Sequence, residues 1–248
     1  MNILITAGGT IEPIDKVRDI VNKSTGVLGA KIALSFLSRK NTCIDYVYGG
    51  ELLVNHPKLN PIKITDFKSV DKIVTEILTQ KKIDIFIHAM AVSDFSIQGV
   101  VNIKQALNNA AEKIANRALP LKTIVEILTL EFSPALIEEK LSSEEDIALI
   151  LSKNEKIIAK VKSLQPNTVL VGFKLTVNEE NEALYKKGCE FMEKNNCDFV
   201  FANDLKNICA VHRGILIDKN KKAIELVTKE NIAEAIVKST LRTRIQKI

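Results

Sequence analysis

Apolar residues recur along the chain in two periods. Short runs rich in Ile, Val and Phe mark strands over Ile3–Thr6, Ile44–Tyr48, Ile83–His88, Val169–Phe173 and Phe199–Ala202. Runs of this length, without alternation, read as strands covered on both faces. Between them the spacing predicts helices over Leu28–Arg39, Val70–Lys81, Asn178–Lys194 and Lys229–Leu241. In the second of these, Val70, Ile73, Val74, Ile77 and Leu78 share one stripe while Asp71, Lys72 and Glu76 face water. Strands that alternate with helices in this way predict βαβ units and a mostly parallel sheet with helices on both faces.

The last part of the chain changes pattern. Cys209–Ile217 and Ile224–Val227, separated by Asp218-Lys219-Asn220-Lys221, read as an antiparallel hairpin before the closing helix. Thr228, three residues before Asn231, is a weak N-cap signal for that helix. The expected fold class is therefore α/β and Rossmann-like, with an antiparallel C-terminal hairpin. No Pro/Gly-rich linker divides the chain, which predicts one domain over 1–248 with a helical insertion at about 99–139. The insertion carries predicted helices at Ile103–Ala118 and Leu121–Leu130, with Pro120 and Pro134 as breakers. A connection of that length is more often a lid or an interaction surface than an inert loop.

Composition narrows the class. With 248 residues, 46% apolar and 26% charged, the chain can bury a substantial core and does not fit a disordered segment. No run approaches the ~20 apolar residues of a membrane helix. The start, MNILITAGGT, reads as a buried strand and not as a signal peptide. Cys43, Cys189, Cys197 and Cys209 form no CxxC pair and only three His are present. They read as reduced core thiols of a cytoplasmic protein, not a structural zinc site. The net charge of +5 is dispersed apart from Lys238, Arg242, Arg244 and Lys247, and Trp is absent. That favours a basic face suited to small anionic substrates over a nucleic-acid surface, and no membrane partner is expected.

Candidate chemistry sits at strand ends. Gly8 and Gly9, between Thr6-Ala7 and Thr10, are a tight turn or a place where backbone N–H groups approach an anion. Asn22 precedes Ser24-Thr25-Gly26, where Ser24 and Thr25 offer helix caps and Gly26 and Gly29 allow close approach to phosphate or to a strand. Ala89-Met90-Ala91-Val92-Ser93-Asp94 leaves room for a flat ligand, with Asp94 either a ribose acceptor or a turn former. His88, inside an apolar run, reads as a buried, hydrogen-bonded core residue. Lys140, between Glu139 and Leu141-Ser142-Ser143, is either a solvated ion pair or a phosphate-site cation. Phe173, in Gly172-Phe173-Lys174, either flanks a nucleobase or packs in the core.

Taken in order, the run from Thr6 to Arg18 (Thr-Ala-Gly-Gly-Thr-x-Glu-Pro-Ile-Asp-x-Val-Arg), Asn22-x-Ser-Thr-Gly, Ala-Val-Ser-Asp-Phe, Lys140 before a Ser pair, Gly-Phe-Lys and Ala-Asn-Asp resemble phosphopantothenoylcysteine synthetase of coenzyme A biosynthesis. The likeness spans essentially the whole chain and implies the stand-alone bacterial form. A separate phosphopantothenoylcysteine decarboxylase would then be its pathway neighbour, and no flavin is implied for this chain.

The resemblance implies a ligase that joins 4'-phosphopantothenate to L-cysteine with CTP, or ATP, and Mg²⁺, working as a homodimer. By motif, Lys140 would stabilise the α-phosphate during activation and Asn22 would hold the acyl-nucleotide during condensation. Asp94 would bind ribose, and Ala89, Met90 and Phe173 would shape the nucleotide pocket. Gly8, Gly9, Thr10 and the Ser24, Thr25, Gly26 turn would lie at phosphate or substrate, and Arg18 would lie near a substrate or the subunit interface. Met90 stands where many relatives have Ala. The family's lysine pair is out of register, leaving Lys187 and Lys194 as triphosphate candidates beside Lys186. Two other expectations stay open. One is a nicotinamide-dependent oxidoreductase, which the absence of GxGxxG and YxxxK disfavours; the other is a non-catalytic ligand-sensing module on the same fold.

Overall fold

From the N-terminus, the computed structural model runs through β1 (Asn2–Ala7), β2 (Ile11–Pro13), β3 (Asp19–Val21), α1 (Val27–Leu37), β4 (Cys43–Gly49), β5 (Leu59–Ile64), α2 (Phe67–Gln80) and β6 (Ile85–His88). It continues with β7 (Phe95–Asn102), α3 (Ile103–Ile114), α4 (Leu121–Glu131), β8 (Ile147–Lys153), α5 (Ile157–Leu164) and β9 (Val169–Thr176). The last elements are α6 (Asn181–Asn195), β10 (Phe199–Asp204), β11 (Arg213–Asp218), β12 (Ala223–Val227) and α7 (Lys229–Gln246). The structure describes residues 1–115, 117–132, 146–207 and 212–246. None of the described helices is long and apolar enough to cross a membrane.

Among the described residues, eight strands form one sheet in the order β12-β11-β10-β9-β6-β1-β4-β5. From β10 to β5 every pair is parallel, while β11 and β12 add the antiparallel hairpin expected at the end of the chain. The order turns at β1: the chain goes first to β4 and β5 on one side, then to β6 on the other. Ligands of open parallel sheets bind at the carboxyl ends beside such a reversal.

Strand alternation builds two core layers. Ile3, Ile5, Ile85, Ile87, Val169 and Val171 face α1 and α7, whose Ile32, Phe36, Ile232 and Ile236 close that layer. Leu4, Phe86, Leu170 and Val200 face the other way, onto Val70 and Val74 of α2, Val161 of α5 and Leu184 and Met192 of α6.

The described chain divides into two compact units. Met1–Thr10, Asn22–Val92 and Lys156–Ile248 form the first, which holds the large sheet; Ile11–Val21 and Ser93–Glu155 form the second. In the second unit, β2 pairs with β3, and β7 pairs antiparallel with β8 through a register shift between Ile97 and Gly99. Asn102 caps α3 by accepting the Gln105 N–H at 2.9 Å. The segment expected to be helical therefore also holds a strand, Phe95–Asn102, and α3 ends at Ile114 instead of Ala118. The remainder of the expected insertion, from 133 onward, lies outside the described residues.

Three further elements escaped the pattern. β5 carries Pro61 and is half exposed, as an edge strand permits. β8 shows partial exposure at nearly every position and no clean alternation. α5 has eight residues and no side-chain cap. Of the thiols, Cys189 and Cys197 are buried as expected, whereas Cys43 is exposed at the start of β4, a correction to its reading as a core residue; Cys209 lies outside the described residues.

Candidate active site

The end of β1 turns through Gly8 and Gly9 against the ends of its neighbours. Gly8 has φ +81°, and a Cβ there would sit 2.2 Å from the Gly49 carbonyl oxygen, so only glycine fits both the torsion and the space. The Ala89 N–H donates to the Thr6 carbonyl at 3.0 Å, the Ala91 N–H to Gly8 at 2.9 Å and the Thr10 N–H to Ala91 at 3.1 Å. These bonds, with a parallel bridge between Gly9 and Ala91, carry the β1–β6 pairing past the ends of both strands. The glycine turn and the Ala89–Ala91 segment thus form one continuous floor at the reversal of strand order.

Asn22 joins that floor. Its backbone N–H donates to the Thr10 carbonyl at 3.2 Å, and its side-chain amide donates to the Ala91 carbonyl at 3.3 Å. The second amide hydrogen is not used by that bond. Four residues on, Gly26 is the N-cap of α1 at φ 70°, with no side-chain cap hydrogen bond and no acidic residue in the first turn. Ser24 and Thr25 are exposed and do not cap the helix, a correction to the sequence expectation; the left-handed Gly26 takes that position. A helix start with neither a side-chain cap nor an acid presents N–H groups and the positive end of its dipole to an anion. A Cβ at Gly26 would lie 3.2 Å from the Gly8 nitrogen, which ties the helix start to the glycine turn.

The remaining candidates divide by layer and by unit. Ala89 and Phe173 are partly buried against the α1/α7 layer, and the Phe173 ring lies 5.7 Å from that of Phe201, which stacks on His212 at 6.4 Å. Met90 is 7% exposed and belongs to the opposite layer with Phe86 and Val161. Lys187 and Lys194, on α6, line a cavity of about 510 Å³ in that same opposite layer. Phe173 and these lysines therefore occupy opposite faces of the sheet, because consecutive β9 residues alternate. Arg18 and Asp94 belong to the second unit. There, Arg18 is held by Asp15 through Nε at 3.0 Å and a guanidinium NH₂ at 2.8 Å. Asp94 is exposed, and its carbonyl accepts the Asn154 N–H at 2.8 Å. Lys140 lies outside the described residues.

Two features were not anticipated from sequence. Asp204, fully buried at the end of β10, accepts the Thr176 hydroxyl at 2.7 Å and the N–H groups of Asn178, Glu179 and Lys206 at 3.2, 2.9 and 3.1 Å. Burial alone would raise its pKa, but these four donors outweigh it and hold the carboxyl at about 2. The Ala-Asn-Asp run was a signal that something matters there, yet the sequence does not say that Asp204 clasps a loop. The second feature is Lys156 and Lys174, which line the cavity with Lys187 and Lys194. Lys174 was in view as the neighbour of Phe173; Lys156 gave no signal.

Comparison with known proteins gives the context. The model of the family described as DNA/pantothenate metabolism flavoprotein C-terminal domain matches residues 1–130 and 131–243. The crystal structure of the DNA/pantothenate metabolism flavoprotein from Streptococcus pneumoniae is 33% identical, covers 98% of this chain and 99% of its own, and superposes with a TM-score of 0.79. The coenzyme A biosynthesis bifunctional protein CoaBC of Methanocaldococcus jannaschii is 27% identical over 82% of this chain and 40% of its own length. The chain spans about half the length of the curated relatives it matches, 40%, 49% and 41% for three of them. At the level of fold, a Cab2 variant in complex with phosphopantothenate-cysteine superposes with a TM-score of 0.66 at 18% identity, over 99% of this chain and 87% of that one.

Proposed function

Because the chain belongs to the DNA/pantothenate metabolism flavoprotein C-terminal domain family, we propose that it is a phosphopantothenate–cysteine ligase of coenzyme A biosynthesis. In the first half-reaction the carboxylate of 4'-phosphopantothenate attacks the α-phosphorus of CTP or ATP. The α–β phosphoanhydride breaks, pyrophosphate leaves and an acyl-nucleotide remains. In the second half the amine of L-cysteine attacks the acyl carbon, the acyl–phosphate bond breaks, and the nucleoside monophosphate leaves as the amide forms. Both nucleophiles come from substrates, so the protein has to position and to neutralise charge more than to supply a nucleophile.

The observation that carries this reading is the floor at the strand reversal, where the glycine turn, the uncapped start of α1 and the Asn22 carboxamide meet. An anion-accepting helix start beside a carboxamide suits an acyl phosphate: the helix holds the phosphate, and the amide donates to the acyl oxygen as charge builds on it. We assign Gly8, Gly9, Thr10, Ser24, Thr25 and Gly26 to phosphate and substrate, Asn22 to the acyl group, and Ala89 and Phe173 to the base. Met90 supports that wall from the opposite layer. Asp94 for ribose, Arg18 for substrate, and Lys187 and Lys194 for triphosphate complete the proposal, with Lys140 as the cation at the α-phosphorus.

Among the described residues no group of three His, Cys, Asp or Glu is placed to hold a metal ion. Mg²⁺ would arrive on triphosphate oxygens and water, where it would lower the charge on the nucleotide. The proposal assigns no flavin to the chain. The ligase would work as a cytoplasmic homodimer fed by pantothenate phosphorylation.

The test is pyrophosphate release from the protein given phosphopantothenate with CTP or ATP, with and without cysteine. Release that depends on phosphopantothenate, with the amide forming only when cysteine is added, is the expected result. No release with either nucleotide overturns the reading, and a nicotinamide fluorescence change on mixing would favour the oxidoreductase instead.

A further inference from the structure

Asp94 stands at an exposed bend just before β7, in the second unit. A carboxylate at such a bend ordinarily samples many directions, and aiming it at a ligand hydroxyl costs ordering entropy. Here one residue holds the backbone beneath it. Asn154, which follows β8, donates its backbone N–H to the Asp94 carbonyl at 2.8 Å and its side-chain amide to the Ser93 carbonyl at 3.0 Å. These two carbonyls belong to the peptide planes on either side of the Asp94 Cα. Fixing both planes sets φ and ψ of Asp94, and with them the direction of its Cα–Cβ bond.

The first bond continues the strand ladder, since Phe95 pairs with Lys153 and the next residues out are Asp94 and Asn154. The second lies outside the ladder and needs a carboxamide. While Asn154 Nδ2 donates to Ser93, its Oδ1 accepts the Ser96 hydroxyl at 2.9 Å. A carboxylate would turn a lone pair toward the Ser93 carbonyl, and an aliphatic side chain would serve neither partner. Ser93 and Ser96 are both buried, so water competes little for these bonds. The Ser93 hydroxyl adds another, donating to the Phe95 carbonyl at 2.7 Å. Three successive carbonyls, those of Ser93, Asp94 and Phe95, are thereby held around one exposed carboxylate.

We propose that Asn154 is a positioning residue for nucleotide recognition, acting through Asp94, whose carboxylate it aims at the ribose hydroxyls. The inference rests on the assignment of Asp94 to ribose, and it makes the nucleotide site selective for ribose over deoxyribose. An acceptor separates a substrate with the hydroxyl from one without it only when it is already pointed at that hydroxyl.

The experiment titrates CTP and ATP, each with its 2′-deoxy and 3′-deoxy forms, calorimetrically into the full chain. The wild type binds a ribonucleotide more tightly than at least one of its deoxy forms, by roughly tenfold, as loss of one charge-assisted hydrogen bond does. Asn154→Ala weakens ribonucleotide binding by most of that factor and shifts the discriminated deoxy form much less. Asp94→Ala does the same, and adding Asn154→Ala to it brings little further loss, because both act through one carboxylate. Ser96→Ala moves binding in the same direction, and Ser96→Thr, which keeps the hydroxyl, restores it. A role confined to folding would weaken all forms alike, so equal losses overturn the proposal, as do additive losses in the double variant. A wild type that binds ribose and deoxyribose forms equally, or binds neither, overturns it too. Should Asn154→Ala fail to fold, Ser96→Ala and Ser96→Thr read the same titration.

In the ligase assay Asn154→Ala raises KM for the ribonucleotide more than it lowers kcat or moves KM for phosphopantothenate. A fall in kcat with the nucleotide KM unchanged overturns the positioning role. If the wild type makes no product with any nucleotide, the ligase reading fails while the nucleotide titration still decides Asn154.

Discussion

His88 stands at the end of β6 beside the candidate site, yet its surroundings keep it neutral. Its Nδ1 lies 2.8 Å from the Thr6 hydroxyl, and its ring meets Phe86 edge-on. Burial, helped by the nearby Lys156 ammonium, lowers its pKa to about 4. The unfolded chain takes up that proton near pH 6.5, whereas the folded chain holds off until about pH 4. Folding therefore loses stability as pH falls through this window, by roughly 3 kcal/mol from this group. Urea unfolding between pH 7 and pH 4 should show that loss in the wild type and a clearly smaller one in His88→Asn. Asn22 carries the opposite expectation. Asn22→Ala should slow amide formation by roughly 10²-fold, as loss of one preorganised donor does, while changing activation much less. Rapid-quench turnover of a preformed acyl-nucleotide measures it, and unchanged turnover rejects the assignment. Asn22, Gly8 and Gly26 were legible because each is a residue type with few structural substitutes at a strand or helix end. Asp204 was not, since its work is to accept N–H groups that no sequence pattern marks.

At the scale of elements, a buried ion pair joins α5 to the residue before β10. Lys162 reaches the Asp198 carboxylate at 2.7 Å and the Thr168 carbonyl at 2.6 Å, with side-chain exposures of 11% and 8% for the pair. The same carboxylate oxygen accepts the Leu170 N–H at 2.9 Å. Lys162→Met leaves Asp198 charged and enclosed, a loss of about 3–5 kcal/mol by the usual cost of breaking a buried pair. Lys72→Met, which touches only the exposed pair with Glu76, should change stability by less than about 1 kcal/mol. Denaturant midpoints at constant slope separate the two, and equal small effects would show that the buried pair contributes little. The elements that carry the large sheet were legible because both of their faces are covered, which leaves long apolar runs. Those of the second unit were not. β7 interleaves Ser96 and Gln98 with apolar residues, β2 and β3 have three residues each, and β8 is half exposed along its length. Strands so short or so thinly covered leave almost no periodic trace.

For the whole molecule, the alternation of strands with helices made the mostly parallel sheet legible, though not the order of its strands. The same reasoning is blind to how much apolar surface a unit leaves uncovered. Among the described residues of the second unit, Val100, Val101, Ala106 and Ala110 are the buried apolar side chains, whereas Leu121, Val125, Leu128 and Leu130 of α4 are 77%, 53%, 36% and 69% exposed. Leu121, Val125 and Leu128 recur at the spacing of one helix face, so α4 presents a stripe that the described residues of its unit do not cover. A stripe of this kind is costly in water unless a partner closes it. The proposed homodimer supplies one, with a second copy of the chain as occupant. Sedimentation velocity at tens of micromolar should then give the mass of a dimer, and Val125→Glu, by placing a charge in the stripe, should shift the population toward monomer. Its far-UV circular dichroism should stay unchanged, since Val125 is more than half exposed and supports no core contact. A wild-type monomer across that concentration range, or a Val125→Glu dimer of undiminished strength, would leave the α4 stripe without the partner assigned to it.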